Sequence, residues 1–71
     1  FGSRISVEIE EDKPGVLAHV SSIIAGVGLN ITHLAVFRNE LIIRLNTINL
    51  HDVIEALRKN GYKVISISKN E

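Results

Sequence analysis

Residues 5–30, "ISVEIEEDKPGVLAHVSSIIAGVGLN", contain the change of period that decides the fold. Aliphatic residues at positions 5, 7 and 9 alternate with polar ones, which is typical of a strand with one buried face. After Pro14-Gly15 the apolar residues follow the helical period instead. They are Val16, Leu17, Val20, Ile23, Ile24 and Val27. The stretch therefore predicts a strand, a corner and an amphipathic helix that Gly26 and Gly28 end.

Two further strands follow the helix. Residues 30–37, "NITHLAVF", are rich in β-branched and aromatic types, and residues 41–46, "LIIRLN", return with aliphatic residues on one face. Together they predict a hairpin. Asn39 is the predicted turn residue, because asparagine accepts a positive φ at modest cost.

The last third of the chain predicts a helix and a strand. Apolar residues at positions 50, 53, 54 and 57 have helical spacing, with Asn49 as the expected N-cap and Gly61 as the stop. Residues 62–69 then predict a strand with Ile65 and Ile67 on one side and serines on the other.

The predicted order of elements is β-α-β-β-α-β. Short connections and right-handed crossovers make this a ferredoxin-like α+β fold, a four-stranded antiparallel sheet with two helices on one face. The second and fourth strands then lie at the edges. The second strand has no proline or lysine to protect its edge, so a second copy of the chain is the expected cover.

The chain of 71 residues predicts one small domain, over residues 4–71. Residues 1–3 are interpreted as a vector-derived remnant ahead of the first patterned residue. The sequence has no cysteine, so neither a disulfide nor a thiolate zinc site is available to stabilise a thin core. Self-association as a homodimer or higher oligomer is the expected alternative.

Charge and hydropathy exclude several classes of partner. Eight basic and eight acidic side chains give a formal net charge of zero, which argues against nucleic acid and against an anionic membrane surface. No apolar run approaches the roughly 20 residues of a membrane span. The absence of cysteine fits a reducing compartment, so a cytoplasmic location is expected.

The corner at Pro14-Gly15 admits a functional interpretation. A helix start carries unpaired N–H groups and partial positive charge, and Lys13 at the cap position would offer no acceptor to residues 15–17. Asp12 beside them would hold an ammonium group. An anion acceptor beside a carboxylate describes a site for an α-amino acid.

The same corner also admits a simpler interpretation. Proline at a helix start is common, and water or Asp12 would satisfy the open amides. Asn30, which opens the second strand, has the same two interpretations. Its amide would hydrogen-bond a ligand held against a neighbouring chain, or it is an ordinary residue of a helix end.

Other candidate chemistry is weak in this sequence. His19, His33 and His51 fall on three different elements without metal-ligand spacing. The acidic run at residues 10–12 lacks the glycine and alternating ligands of a calcium loop. No serine has a recognisable base and orienting group, so neither catalysis nor a cofactor is predicted.

Residues 10–32, "EEDKPGVLAHVSSIIAGVGLNIT", resemble the signature of the ACT domain, a small ligand-binding regulatory module. The similarity covers nearly the whole chain. It implies a module that dimerises through edge strands and first helices, with an amino acid or similar effector at the interface. Family contacts map to Asp12, Lys13, Pro14, Gly15, Val16, Leu17, Asn30 and Ile31.

A second resemblance concerns residues 57–67, "LRKNGYKVISI", which look like ACT modules that follow paired CBS domains in proteins similar to acetoin-utilisation regulators. Three hypotheses follow for function. The first is a regulatory module that binds an amino acid between two chains. The second is a constitutive homodimerisation module without a ligand, and an enzyme is a distant third.

Overall fold

A computed structural model describes residues 2–10 and 14–70, except for the side chain of Asn70. Its elements follow the predicted order β-α-β-β-α-β. They are β1 (Gly2–Glu8), α1 (Val16–Gly26), β2 (Ile31–Phe37), β3 (Glu40–Leu45), α2 (His51–Lys59) and β4 (Lys63–Asn70).

The four strands form one antiparallel sheet in the order β2-β3-β1-β4. The ferredoxin-like prediction is confirmed, including β2 and β4 as the edges. On β1 the buried Ile5 and Val7 lie opposite Ile43 and Leu41 of β3, so these four residues share one face of the sheet. Both helices pack on that face.

The core is a single aliphatic cluster between the sheet and the helices. Its members are Ile5, Val7, Val16, Val20, Ile24, Leu41, Ile43, Leu45, Leu50, Val53 and Leu57. The predicted stripe of α1 is therefore mostly correct. Leu17 is the exception, because it lies 44% exposed on the surface instead of packing in the core.

The pairing of β4 with β1 contains a bulge that the sequence did not predict. The pairing of β1 with β4 shifts between Ser6 and Val7, so Val64 lies opposite Val7 while Ile67 lies opposite Ile5. Ile65 is the extra residue of this bulge and has no partner on β1. Val64 thus shares the helix-facing side with Ile67, while Ser66 and Ser68 lie opposite Ser6 and Arg4 on the other side, as predicted.

Both helices end in a Schellman motif, as their glycines predicted. At the end of α1, Leu29 donates its N–H to the carbonyl of Ile24 and Gly28, with φ of 81°, donates to Ala25. At the end of α2, the N–H of Tyr62 bonds the carbonyl of Leu57 at 3.0 Å. Each motif returns the following side chain toward its own helix.

The helix starts differ from the predictions by one or two residues. The first helical residue of α1 is Val16 rather than Pro14, and Gly15 is its N-cap with φ of 81°. The N-cap of α2 is Leu50, without a side-chain hydrogen bond, instead of Asn49. The Asn49 N–H donates to Thr47 Oγ1 at 3.1 Å, so Thr47 organises the entry to this helix.

The β2–β3 turn places its positive φ on Arg38, at 59°, rather than on Asn39. The guanidinium of Arg38 lies 5.5 Å from the ring centroid of Phe37, a cation–π distance that offsets part of the backbone strain. The hairpin forms as predicted, but the strained residue is not the predicted one.

β1 begins at Gly2, within residues 1–3, which the sequence pattern does not include in the domain. Gly2 lies opposite Asn70, and Ser3 lies opposite Leu45 and Lys69. The vector origin of residues 1–3 stays a prediction. Within the described ranges no helix is long and apolar enough to cross a membrane, since α1 has 11 residues and α2 has nine.

Two glycines two residues apart predict opposite effects on stability. Gly26 is the last helical residue of α1, and a Cβ there meets no atom within 4 Å. Gly26→Ala should stabilise the fold by about 0.5 kcal/mol, because alanine has the better helix propensity. Gly28→Ala should destabilise it by about 1 kcal/mol or more, because its φ is positive. Denaturant unfolding of the two variants measures both, and equal effects would contradict the Schellman assignment.

Candidate ligand-binding cleft

A cleft of about 680 Å³ opens at the end of the sheet where β1 ends and α1 begins. It is lined by Glu8, Ile9, Glu10, Pro14, Gly15, Val16, His19, Asn39, Asn60, Gly61, Tyr62 and Lys63. Four segments meet here: the exit of β1, the first turns of α1, the β2–β3 turn and the α2–β4 junction.

The exit of β1 is held against the hairpin turn by one backbone bond. The N–H of Ile9 donates to the carbonyl of Asn39 at 2.8 Å, so residues 8–10 continue beside the turn after the regular strand has ended. Ile9 is partly buried against the core. The Asn39 side of the cleft is therefore fixed by the sheet rather than by a free loop.

The start of α1 forms the second wall. No side chain caps this helix, and its first-turn residues include no acid. A Cβ added to Gly15 would meet nothing within 4 Å, so glycine is required there by the positive φ and not by lack of space. The N-terminal end of the helix, with its partial positive charge, thus faces an open cleft.

His19 of α1 and Tyr62, which lies between α2 and β4, contact each other and form the third wall. His19 Nδ1 lies 2.7 Å from the Tyr62 hydroxyl, and the ring centroids are 5.4 Å apart with the planes tilted by 57°. The Schellman motif of α2 sets Tyr62, because its backbone N–H is tied to Leu57 of the core. The pair therefore joins the first helix to the α2–β4 junction.

The cleft carries both signs of charge. Glu8 and Glu10 line one side, and Lys63 lines the side formed by the start of β4. The helix start adds partial positive charge without a side chain. Such a lining suits a small ligand that itself carries both charges.

The predicted site residues divide into three groups. Pro14, Gly15 and Val16 line the cleft, and their contact with a ligand stays a prediction. Leu17 is not among its lining residues and is exposed beside it. Asp12 and Lys13 lie outside the described residues, so their predicted roles stay predictions.

Asn30 and Ile31 lie far from the cleft within one chain. Ile31 is opposite Leu45, which is in turn opposite Ser3 at the start of β1. The cleft lies at the other end of the same strands, beside Glu8. One copy of the chain therefore does not bring the two halves of the predicted site together.

The sequence does not predict the cleft positions of His19, Asn39, Asn60, Tyr62 and Lys63. Of these, Tyr62 had a usable signal. The residue after the glycine of a Schellman motif returns onto its helix, and Gly61 was predicted as that glycine. His19 had no comparable signal, because its contact with Tyr62 joins residues 43 positions apart.

The structure offers no metal centre among residues 2–10 and 14–70, where no three His, Cys, Asp or Glu side chains cluster. His51 and Asp52 approach to 3.2 Å, but both side chains are largely exposed and no third ligand joins them.

The sequence profile of the ACT domain matches residues 3–62, most of the chain. The chain belongs to the ACT domain family. The stretch that contains the strand-to-helix corner, both helices and the first three strands is thus accounted for by one regulatory domain type.

Solved structures share this ACT fold. Prephenate dehydratase from Staphylococcus aureus subsp. aureus Mu50 superposes with a TM-score of 0.76 over 94% of the chain, at 21% identity. The regulatory subunit of aspartate kinase from Thermus thermophilus, in its ligand-free form, superposes with a TM-score of 0.71 over 96% of the chain, at 20% identity. The ACT chain spans 28% of the first protein and 50% of the second. No curated protein matches it.

The His19–Tyr62 bond predicts a measurable coupling between the two helices. Tyr62→Phe and His19→Ala should each cost about 0.5 to 1 kcal/mol, and the double variant should cost less than their sum, because both remove the same hydrogen bond. Chemical denaturation of the four proteins gives the coupling energy.

His33 provides the control for this cycle, because it lies on β2 away from Tyr62. Tyr62→Phe combined with His33→Gln should be additive within about 0.3 kcal/mol. Additivity of the His19 and Tyr62 changes as well would show that the bond contributes nothing to stability.

Proposed function

We propose that this ACT module is a non-enzymatic regulatory domain of the cytoplasm that binds an amino acid, or a similar small zwitterion, in a site shared by two copies of the chain. The observation that carries the proposal is the uncapped start of α1 at the wall of the mixed-charge cleft. Occupancy of the site then changes the arrangement of whatever domains are attached.

The cleft supplies groups that match both ends of an amino acid. The start of α1 is a ready acceptor for a carboxylate, because its N–H groups and partial positive charge face the opening. Glu8 and Glu10 line the same cleft and supply carboxylates for an ammonium group. Asp12 is proposed for the same role, as the family resemblance implies.

The geometry of the sheet supports a site shared by two chains. If β2 pairs with β2 of a second copy, a two-fold axis makes the two strands antiparallel. The start of one β2 then lies beside the end of the other, which is the end of the sheet where Gly15 lies. Asn30 and Ile31 of the second copy thereby approach the cleft that their own chain does not reach.

The surface around β2 supports that pairing. Leu34 and Val36 share the face of the buried Ile43 and Leu41, yet they remain 41% and 53% exposed because the helices do not cover this edge. Leu17 of α1 is exposed as well. A second copy that continues the sheet and adds its own α1 would cover all three aliphatic side chains.

The route from ligand to attached domains passes through the same four segments. A ligand against Gly15 and Tyr62 contacts the beginning of α1 and the α2–β4 junction at once, so it fixes both helices relative to the sheet. We propose paired CBS domains as the attached partner, on the weaker resemblance of residues 57–67.

The rival function is constitutive homodimerisation without a ligand. The exposed aliphatic edge favours it directly, since that surface needs a second copy whether or not the cleft is occupied. Thermal melting against a panel of amino acids and nucleotides, with mass measured by light scattering, separates the two functions. A ligand at 100 times its Kd adds about 2.7 kcal/mol, which should raise the Tm by about 10 °C.

The outcomes of the panel are distinct. A dimer whose Tm rises with one amino acid and not with nucleotides supports the proposal. A dimer whose Tm none of the amino acids moves at millimolar concentration supports the rival. A monomer at all concentrations contradicts both.

A second pair of variants tests whether the site is shared. Val36→Lys places a charge on the β2 edge and should abolish dimerisation together with the ligand-induced shift. Ile65→Lys is the matched control, an exposed aliphatic residue of the other edge strand, and should preserve both. Ligand binding to a monomeric Val36→Lys protein would place the whole site within one chain.

Gly15 gives the sharpest test of the carboxylate position. Gly15→Asp and Gly15→Asn add side chains of nearly equal size, and both residue types tolerate a positive φ better than most. The aspartate would repel the ligand carboxylate, so it should abolish the Tm shift, while the neutral asparagine should weaken binding less. Circular dichroism checks that both fold, and equal loss in the two would mean that bulk rather than charge excludes the ligand.

A further inference from the structure

We propose that the face of the sheet without helices packs against the same face of a second copy, about a two-fold axis that runs across the strands. We call it the open face. Its members, strand by strand, are His33, Ala35 and Phe37; Glu40, Ile42 and Arg44; Arg4, Ser6 and Glu8; Lys63, Ser66 and Ser68. This interface differs from the β2 edge and does not rest on ligand binding.

The charges of β1 and β3 on the open face fall into two separate rows, with Lys63 of β4 at the end of the acidic one. Arg4 lies directly opposite Arg44, and four residues further along the same strands Glu8 lies directly opposite Glu40. Like charges opposite each other destabilise a sheet, so the Arg4–Arg44 pair and the Glu8–Glu40 pair are each unfavourable in a single copy, although Lys63 on the other side of Glu8 offsets part of the second. The rows are about 13 Å apart, at 3.3 to 3.4 Å per residue, too far for the arginines to reach the acids.

None of these four side chains makes an ion pair within the part of the chain that the structure describes. Arg4, Glu8 and Arg44 are exposed, and Glu40 is half-buried. β1 and β3 thus each carry one cation and one anion. Their separation allows both to pair with an inverted copy of the same strand.

A two-fold axis across the strands, through the row of Ser6 and Ile42, performs that inversion. It places β1 on β1 and β3 on β3 in antiparallel fashion. Arg4 of one copy then faces Glu8 of the other, and Arg44 faces Glu40. The operation gives four cation–anion contacts and leaves no like charges in contact.

The outer strands are compatible with the same axis. His33 of one copy faces Phe37 of the other on β2, and Ser68 faces Lys63 on β4. A two-fold axis along the strands would instead place Arg4 of one copy on Arg44 of the other. The charge pattern therefore selects the axis across the strands.

The middle row allows close approach of the two faces. Ser6 is only 8% exposed, and Ala35 and Ser66 have small side chains. Packed sheets lie about 10 Å apart, which requires short side chains where two identical positions meet on the axis. The half-buried Ile42 meets Ile42 of the other copy and supplies apolar contact at the centre.

An anionic ligand is the other occupant that this surface would accept. A groove of about 450 Å³ lies at the basic end, lined in part by Arg4, Arg44 and His33. A bound anion accounts for the basic row alone, whereas a second copy accounts for both rows and for the small residues between them. We therefore assign the open face to a second copy.

The interface is small, so its affinity should be modest and sensitive to salt. Four strands by five residues give a patch of about 300 Å², below the roughly 800 Å² per partner of a standard interface. The Debye length shortens to about 3 Å in 1 M salt, so high salt should weaken association across the open face. Association through the aliphatic β2 edge should not weaken.

Complementary charge reversal tests the proposal without ligand. Arg4→Glu with Arg44→Glu makes both rows acidic, and Glu8→Arg with Glu40→Arg makes both rows basic. Arg4→Glu with Arg44→Glu only exchanges one pair of like charges for another, whereas Glu8→Arg also sets the new cation opposite Lys63. Circular dichroism checks that both double variants fold. Sedimentation at low salt should show that each variant loses one association step of the wild type, at least tenfold in Kd.

The decisive sample is the equimolar mixture of the two variants. Their faces are complementary in both rows, so the mixture should regain the lost step, and 1 M salt should remove it again. A mixture that does not regain it, or single variants that associate like the wild type, would overturn the proposal. A bound anion would also overturn it. In that case inorganic phosphate would raise the Tm of the wild type but not of the Arg4→Glu, Arg44→Glu variant, and no larger assembly would form.

If either reversed variant unfolds, Arg4→Gln with Arg44→Gln tests the same interface. It removes the repulsion between the two arginines within one copy and their proposed attraction to the acids of the second copy. This neutral variant should lose both the association step and its salt dependence. Unchanged association and unchanged salt dependence would overturn the assignment.

Discussion

The burial of one face of the sheet under two helices is the interaction on which the rest of the molecule depends. Eleven aliphatic side chains form this layer, and no cysteine is present to reinforce it. Val16 and Val20 fix the beginning of α1, and Leu57 fixes the end of α2. Because those helix ends form two walls of the cleft, the same contacts that fold the chain also set the geometry of the candidate site.

The helix layer is narrower than the sheet, and that difference explains the exposed surface. Two helices cover β1 and β3, while β2 keeps every residue but Ile31 exposed. The ACT module therefore has an aliphatic edge, a charged open face and an end cleft, three surfaces with different chemistry. The position of all three surfaces depends on how the helices pack on the sheet. A substitution that changes this packing would therefore alter all three.

The sequence predicts what depends on local pattern. The alternating and helical periods along the chain predict the order of elements and the sheet edges, and Gly28 and Gly61 predict both helix ends. The start of the cleft at Pro14-Gly15 is predictable for the same reason, since a corner and a helix start are both local features.

The rest depends on contacts between distant residues. The sequence around Ile65 alternates cleanly, so nothing in it reveals the bulge that puts Val64 opposite Val7. The His19–Tyr62 bond joins two helix ends that only the fold brings together. Asn30 resembles the family motif as closely as Gly15 does, yet the sheet separates them. Local pattern cannot show that the sheet holds two parts of one motif at opposite ends.

The exposure of β2 also has a kinetic consequence. Its outer backbone donors and acceptors lie beside the exposed Leu34, Val36 and Phe37, in a seven-residue segment without proline or lysine. That composition also suits uncontrolled cross-β stacking. The proposed edge pairing of two copies and cross-β stacking are both bimolecular. Dilution therefore slows both processes alike and does not favour one over the other.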